Sequence, residues 1–193
     1  MRRASLLFLG VLAGCAGQGT AFQDTAGGRP GLEAAVARLP ASVAGFERGD
    51  TVWHERERPG LGASVEYAGP SRAAVATVSL YDRGQGPVSS QPGDARVARE
   101  FSAAVSDAIA VAGTRTSQQM AESGRTALSV PGGAPLSCAR LDGTYGRQQV
   151  GTLVCVGAAA GRFLKVQITA PARPVVPVDP EPFIVGITQA ARG

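Results

Sequence analysis

The chain has 193 residues, 44% of them hydrophobic and 18% charged, with a formal net charge of +4 and three cysteines. That length and apolar share suit one domain able to bury a real core. The cations are nearly all arginine, Lys165 being the sole lysine, and they are scattered among Asp and Glu. Without a basic run, or a basic patch with interleaved aromatics, the usual footprint of a nucleic-acid binder is excluded.

Met1-Arg2-Arg3 is a short positive segment, and Leu6 to Ala13 is an uncharged apolar run. The run has the length of a signal peptide's hydrophobic region and falls short of the ~20 residues of a membrane-spanning helix. It closes on Leu12-Ala13-Gly14-Cys15. Those four residues resemble the lipobox of the bacterial lipoproteins, in which cleavage falls between Gly14 and Cys15. The resemblance implies a diacylglycerol in thioether linkage to Cys15, usually with an acyl chain such as palmitate on the freed amine. It implies a membrane partner reached through that lipid, and a place in the cell envelope facing the periplasm. Each buried methylene contributes ~0.8 kcal/mol, so stable anchoring takes two or more chains. Enteric lipoproteins kept at the inner membrane carry Asp after the lipidated cysteine; Ala16 stands there, which points to the outer membrane. The alternative is an ordinary secretory signal followed by a coincidental cysteine.

If residues 1–14 are the signal peptide, residues 15–30 read as a flexible lipidated tether of Gly, Gln, Thr and Ala with no apolar period. A coil of that length spans on the order of 20 Å. The folded domain then covers residues 31–193. With Cys15 taking lipid, Cys138 and Cys155 remain as a pair in a compartment that permits oxidation. They read as a structural disulfide, with free buried thiols as the alternative; a redox motif would need a two-residue gap at a helix start.

Down the chain, Gly31 to Leu39 predicts a short helix with Leu32, Val36 and Leu39 on one face, ended by Pro40. Thr51 to Glu57 predicts a strand. Ala63, Val65 and Tyr67 alternate with polar residues, and Ala74, Ala76, Val78 and Leu80 do so again, so three strands make an antiparallel meander. Asp82 to Gly93 is a loop. Asp94 is a helix N-cap before an apolar stripe at Val97, Phe101, Ala104, Val105, Ala108, Ile109 and Ala112, with Arg96, Glu100, Ala103 and Asp107 opposite and Gly113 at the C′ position. Residues 114–133 are the least legible, with one strand placed around Arg125 to Val130 after a polar segment that reads as either strand or loop. Leu136 to Leu141 and Val150 to Val156 are strands around a glycine-rich loop at Gly143 to Gly146; Gly157 to Gly161 turns into a strand in which Leu164, Val166 and Ile168 point one way. A register with Cys138 opposite Cys155 sets Ala139 against Val154, Leu141 against Thr152 and Gly143 against Val150, with Thr144 to Gln149 as the loop. Both faces of this hairpin are mostly apolar, which predicts central strands covered on both sides. Pro171, Pro174 and Pro177 stiffen a connector, and Asp179 caps a last helix with Pro180 at its first position, docked by Phe183, Ile184 and Ile187.

These elements predict an α+β domain: two antiparallel meanders, in one sheet or two packed sheets, covered by the 94–112 helix and the C-terminal helix. Such an arrangement resembles a PsbP/Mog1-type α/β sandwich, a likeness of fold that transfers no function.

The chemistry is sparse. His54 is the only histidine; its neighbours Glu55 and Glu57 suggest a catalytic cluster, but on a strand Glu55 faces away from His54. No Gly-x-Ser-x-Gly elbow, phosphate loop or dinucleotide fingerprint is present, and no cofactor or metal is expected. Trp53, Tyr67 and Tyr81 either line a ligand surface or pack. The expected function is a lipid-anchored envelope protein whose non-catalytic domain binds an envelope partner or a small ligand. The alternative is a periplasmic hydrolase in which a pocket gathers His54 with Glu55, Glu57 or Asp82.

Overall fold

The structure, a computed structural model, describes residues 28–114, 118–174 and 176–193. The expected signal peptide, Gly14, Cys15 and most of the segment expected to be a tether lie outside the described residues. Within them the fold is α+β: one eight-stranded antiparallel sheet and three helices.

The chain runs α1 (Leu32–Ala37), β1 (Ser42–Val43), β2 (Phe46–Trp53), β3 (Ala63–Ala68), β4 (Val75–Tyr81), α2 (Ala95–Gly113), β5 (Gln118–Leu128), β6 (Leu136–Tyr145), β7 (Gln148–Ala159), β8 (Arg162–Pro171) and α3 (Glu181–Arg192). Strand order across the sheet is β1-β2-β3-β4-β8-β7-β6-β5. The two meanders therefore share one sheet, joined where β4 pairs antiparallel with β8.

Period-two alternation decides which side chains meet which helix. On the inner face, Val65, Tyr67, Val78, Leu80, Cys138, Cys155, Leu164 and Val166 pack with Ala35 and Val36 of α1 and with Phe183, Ile184 and Ile187 of α3. Phe183 is the hub of this layer, its ring centroid 4.2 Å from Phe46 and 5.2 Å from Tyr67. On the outer face, Phe101, Ala104 and Val105 of α2 bury Ala139, Leu141, Val154 and Val156. A smaller cluster of Tyr81, Val88, Ala158 and Phe163 sits beside it under the 82–94 loop.

The hairpin register holds as expected: Cys138 faces Cys155, Ala139 faces Val154, Leu141 faces Thr152 and Gly143 faces Val150. The ladder runs further than expected, however, to Tyr145 opposite Gln148, so the loop is only Gly146-Arg147. Gly146 takes φ +62°, the left-handed conformation such a tight turn asks for. The polar run from Thr144 to Gln149 has no alternation to betray it as strand. Gly157 is likewise within β7, and the turn into β8 is Ala160-Gly161.

Other expectations need correction. β2 starts at Phe46 and ends at Trp53, and His54–Arg56 form a 3-10 turn instead of continuing the strand. Gly113 belongs to α2, which Thr114 ends in a right-handed conformation. Residues 118–128 form one long edge strand carrying a bulge between Glu122 and Gly124. Asp94 caps α2 by accepting from the Arg96 amide at 2.7 Å. Asp179 accepts from the Glu181 amide at 3.0 Å, which leaves Pro180 just outside α3. Glu100, expected on the solvent side of α2, is only 8% exposed.

Candidate functional site

Three places in the fold gather groups capable of chemistry or recognition. The first crosses the outer face where α2 does not reach. The turn after β2 swings His54 back over the sheet, and its Nε2 lies 3.1 Å from Ser64 Oγ on β3. Ser64 Oγ in turn lies 3.0 Å from Ser79 Oγ on β4. Ser79 pairs with Lys165 on β8, continuing the polar row. Lys165 and Arg83 both lie against the Tyr81 ring, with charge-to-centroid distances of 5.9 and 5.3 Å.

The row ends where the buried Tyr81 and Glu100 meet the exposed Arg83. Tyr81 donates to Glu100 at 2.7 Å, and Arg83 donates to the same carboxylate at 2.8 Å. Burial, and then the Glu100 charge and hydrogen bond, push the Tyr81 hydroxyl far above the ordinary phenol range, so it stays protonated and donates. The hydrogen bond to Glu100 raises Arg83. Burial, then Arg83, pull Lys165 below the usual lysine range against the opposing pull of Asp107 and Glu100.

The second place is a recess of about 60 Å³ at the end of β4 and the start of β8, lined by Arg29, Glu55, Asp82 and Arg162. Glu55 accepts from the amides of Gly60 at 2.9 Å and Gly62 at 2.8 Å. Gly62 is needed there: it sits at φ +62°, and a Cβ would strike the Leu80 carbonyl. Asp82 accepts from Arg29 and from the Gly84 amide. Burial raises Asp82, but the Arg29 and Gly84 hydrogen bonds, with the charges of Arg29 and Arg162, outweigh it and hold the carboxyl below its ordinary value. Arg162, 6% exposed, donates to the carbonyls of Pro30 at 2.9 Å and Ala160 at 3.1 Å. Burial and then Arg29 lower it to about 10. Together these contacts tie Arg29 and Pro30, assigned to the tether from sequence, onto the domain.

The third is a groove of about 300 Å³ on the inner face, beyond the reach of α3. Gly151, Leu153, Ile168 and Ala170 floor it, the connector after β8 walls it with Pro171, Pro174, Val178 and Pro180, and Arg140 and Asp142 stand at its rim. Neither rim side chain makes an ion pair among the described residues.

The structure thus separates His54 from the acids beside it in sequence. His54 turns to the serines, Glu55 is held by glycine amides, Glu57 is exposed, and Asp82 is bound to Arg29. Tyr67 is 1% exposed and donates to the Pro40 carbonyl at 2.8 Å, and Trp53 is packed partly against the core, so both pack, as does Tyr81. Cys138 and Cys155 are joined as a disulfide across the hairpin, their Cα atoms 4.1 Å apart.

Sequence reasoning missed Ser64, Ser79, Glu100, Arg29 and Arg162. It also missed Arg140 and Asp142, although an Arg-x-Asp pair inside an otherwise apolar strand is a signal in its own right. Among the described residues no group of three or more His, Cys, Asp or Glu side chains is placed to hold a metal ion, and no helix is long and apolar enough to cross a membrane. A scan against protein-family models finds no match, and a search of curated proteins returns no similar sequence.

Proposed function

We propose that this is a lipid-anchored bacterial envelope protein, held through Cys15 and facing the periplasm, whose domain binds a small ligand or an envelope partner without turning it over. The anchor rests on the Leu12-Ala13-Gly14-Cys15 lipobox. The observation that carries binding over catalysis is the dispersal of His54, Glu55 and Asp82 to three different sets of partners, while Arg140 and Asp142 stand unengaged at a groove. Catalysis by acid and base needs its groups within hydrogen-bond reach of one reacting atom; recognition needs only unspent charge beside apolar surface. Acyl labelling tests the anchor: Cys15→Ser should abolish the label and leave unprocessed precursor, and a normally labelled variant removes the lipid from this account.

One observation favours the hydrolase reading. The His54 Nε2 to Ser64 Oγ distance of 3.1 Å is that of a nucleophile and its base. A fluorophosphonate probe decides between the two. Labelling of Ser64 that His54→Gln abolishes would establish the enzyme, whereas an unlabelled, folded protein leaves binding as the function.

A further inference from the structure

We infer that the groove on the inner face takes a short zwitterionic peptide, an extended dipeptide with apolar side chains; this deepens the binding reading above and rests on it. Arg140 and Asp142 lie two residues apart on β6 with both side chains on one face, so their Cα atoms are ~7 Å apart along the strand. Neither makes an ion pair with the other or with another described residue. Two opposite charges on one rim, neither paired within the described residues, match a molecule that carries both complementary charges. A chain of two residues, fully extended, spans ~7 Å between its ammonium and carboxylate ends.

The strand pairing supplies the rest of the site. Arg140 faces Leu153, which faces Ile168; Asp142 faces Gly151, which faces Ala170. Beneath the carboxylate-binding end there is thus a branched apolar floor, and beneath the ammonium-binding end a shallow one. A Cβ built on Gly151 would meet only Asp142 Oδ1, at 3.8 Å, so the glycine leaves space that a ligand side chain fills. The opposite wall is proline at three positions, which cannot donate to the ligand and loses little freedom on binding it. At about 300 Å³ the groove is at the small end of ligand sites, in keeping with two residues and not a longer peptide. Its rim charges sum to zero, so a simple anion attracted by Arg140 is opposed by Asp142, and a zwitterion is favoured over either ion. In the bound state the carboxylate accepts the paired N–H groups of the Arg140 guanidinium, and the ammonium donates to Asp142.

Titration calorimetry on the full chain in detergent tests this with leucyl-alanine, its N-acetyl and C-amide forms, leucine and trileucine. The free dipeptide should bind best, and each cap should weaken it about tenfold or more, the usual effect of deleting one charged hydrogen-bond partner. Arg140→Gln should make the chain indifferent to the C-terminal amide, and Asp142→Asn indifferent to the acetyl group; both positions are exposed, so neither change threatens the fold. Gly151→Val should weaken the dipeptide while the melting temperature holds or rises, valine being the better strand former. Equal binding of capped and free peptides, or full binding by Arg140→Gln, overturns the inference. So does a failure of every dipeptide to bind. If photo-crosslinkers at the groove still capture an envelope component in that last case, the dipeptide is refuted while the binding domain stands.

Discussion

The two meanders pair strands in the same way, yet they bury different amounts of themselves. In β3, Ala63, Val65 and Tyr67 are buried and Glu66 is exposed. In β7 both sets are buried, Cys155 on one face and Val154 and Val156 on the other. The helices cause the difference by crossing over. α2 follows the first meander in sequence but lies on the outer face of the second; α3 follows the second and packs its Phe183 against Phe46 and Tyr67 of the first. The second meander is therefore covered on both faces around Cys138 and Cys155, short of the groove at Arg140 and Asp142, and the first on one over β2 and β3. A half-covered sheet keeps polar groups in reach of solvent, which is where the half-buried His54 and Ser64 lie, with Ser79 buried behind them.

The greatest expected effects test whether each helix seals its half. Phe183 is fully buried on the inner face and Phe101 is 7% exposed on the outer, with the Arg125 guanidinium 5.2 Å from its ring centroid. Phe183→Ala should cost ~3–5 kcal/mol and Phe101→Ala an amount at the lower end of that range. Aspartate at either position should prevent folding, since the buried charge has no partner. Cooperative unfolding of a soluble Phe101→Asp chain in urea would show that α2 is a detachable cover, and the contrast between the halves would collapse.

Next in size is the disulfide, which lies in the doubly covered half. The two cysteines are 17 residues apart, and in the chain-entropy model closing a loop of that size stabilises by ~3 kcal/mol. The Cys138→Ala/Cys155→Ala chain should fold with its urea midpoint lowered accordingly. Two free thiols in a non-reduced digest of exported protein would remove the bridge. The register would then rest on apolar pairing alone.

How far these halves can be read from sequence follows the same physics. Where one face meets water, as in β3 and the first half of β4, strict alternation announced the strand and its inward side. Where both faces are covered, as in β6 and β7, continuous apolar runs announced burial, and the cysteine pair supplied the register. Legibility failed on the edge strand β5, whose residues are nearly all exposed or half-exposed and so carry no pattern. It failed too at Glu100, because helical spacing set it opposite the apolar stripe but cannot say that Tyr81 and Arg83 wait there. The groups of the candidate sites come from strands distant in sequence, and only pairing brings Ser64 to Ser79 or Arg140 to the connector.

A smaller effect concerns Arg29 and the segment before α1. The folded chain holds Asp82 below its unfolded ionisation value, so between the two values the unfolded state binds more protons. The stabilisation is fully present above the ordinary carboxylate range and is lost as pH falls through the lower folded value. Asp82→Asn should cost about 1 kcal/mol at neutral pH, given a partly exposed pair, and should flatten the acid limb of the stability profile. An unchanged acid limb would mean that Arg29 contributes nothing and that the tether runs up to α1.

The smallest expected effect is the sharpest test of the uncovered half. Val75 and Val154 both point to the outer face, Val75 on β4 at 57% exposure and Val154 on β7 fully buried beneath α2. Val154→Lys places an unpaired ammonium in the core and should prevent folding. Val75→Lys keeps the backbone pairing with Ala68 and Thr169 and leaves the ammonium in water. Its cost is then a fraction of the β-propensity difference between the two residues, within ~0.5 kcal/mol for an exposed site. Thermal unfolding of the two variants reads the contrast directly. A loss of ~2 kcal/mol or more at Val75 would require something to cover this face in solution. If that loss shrinks on dilution the cover is a second copy, and if it persists a segment of the same chain lies over the polar row, withdrawing His54 and Ser64 from any substrate.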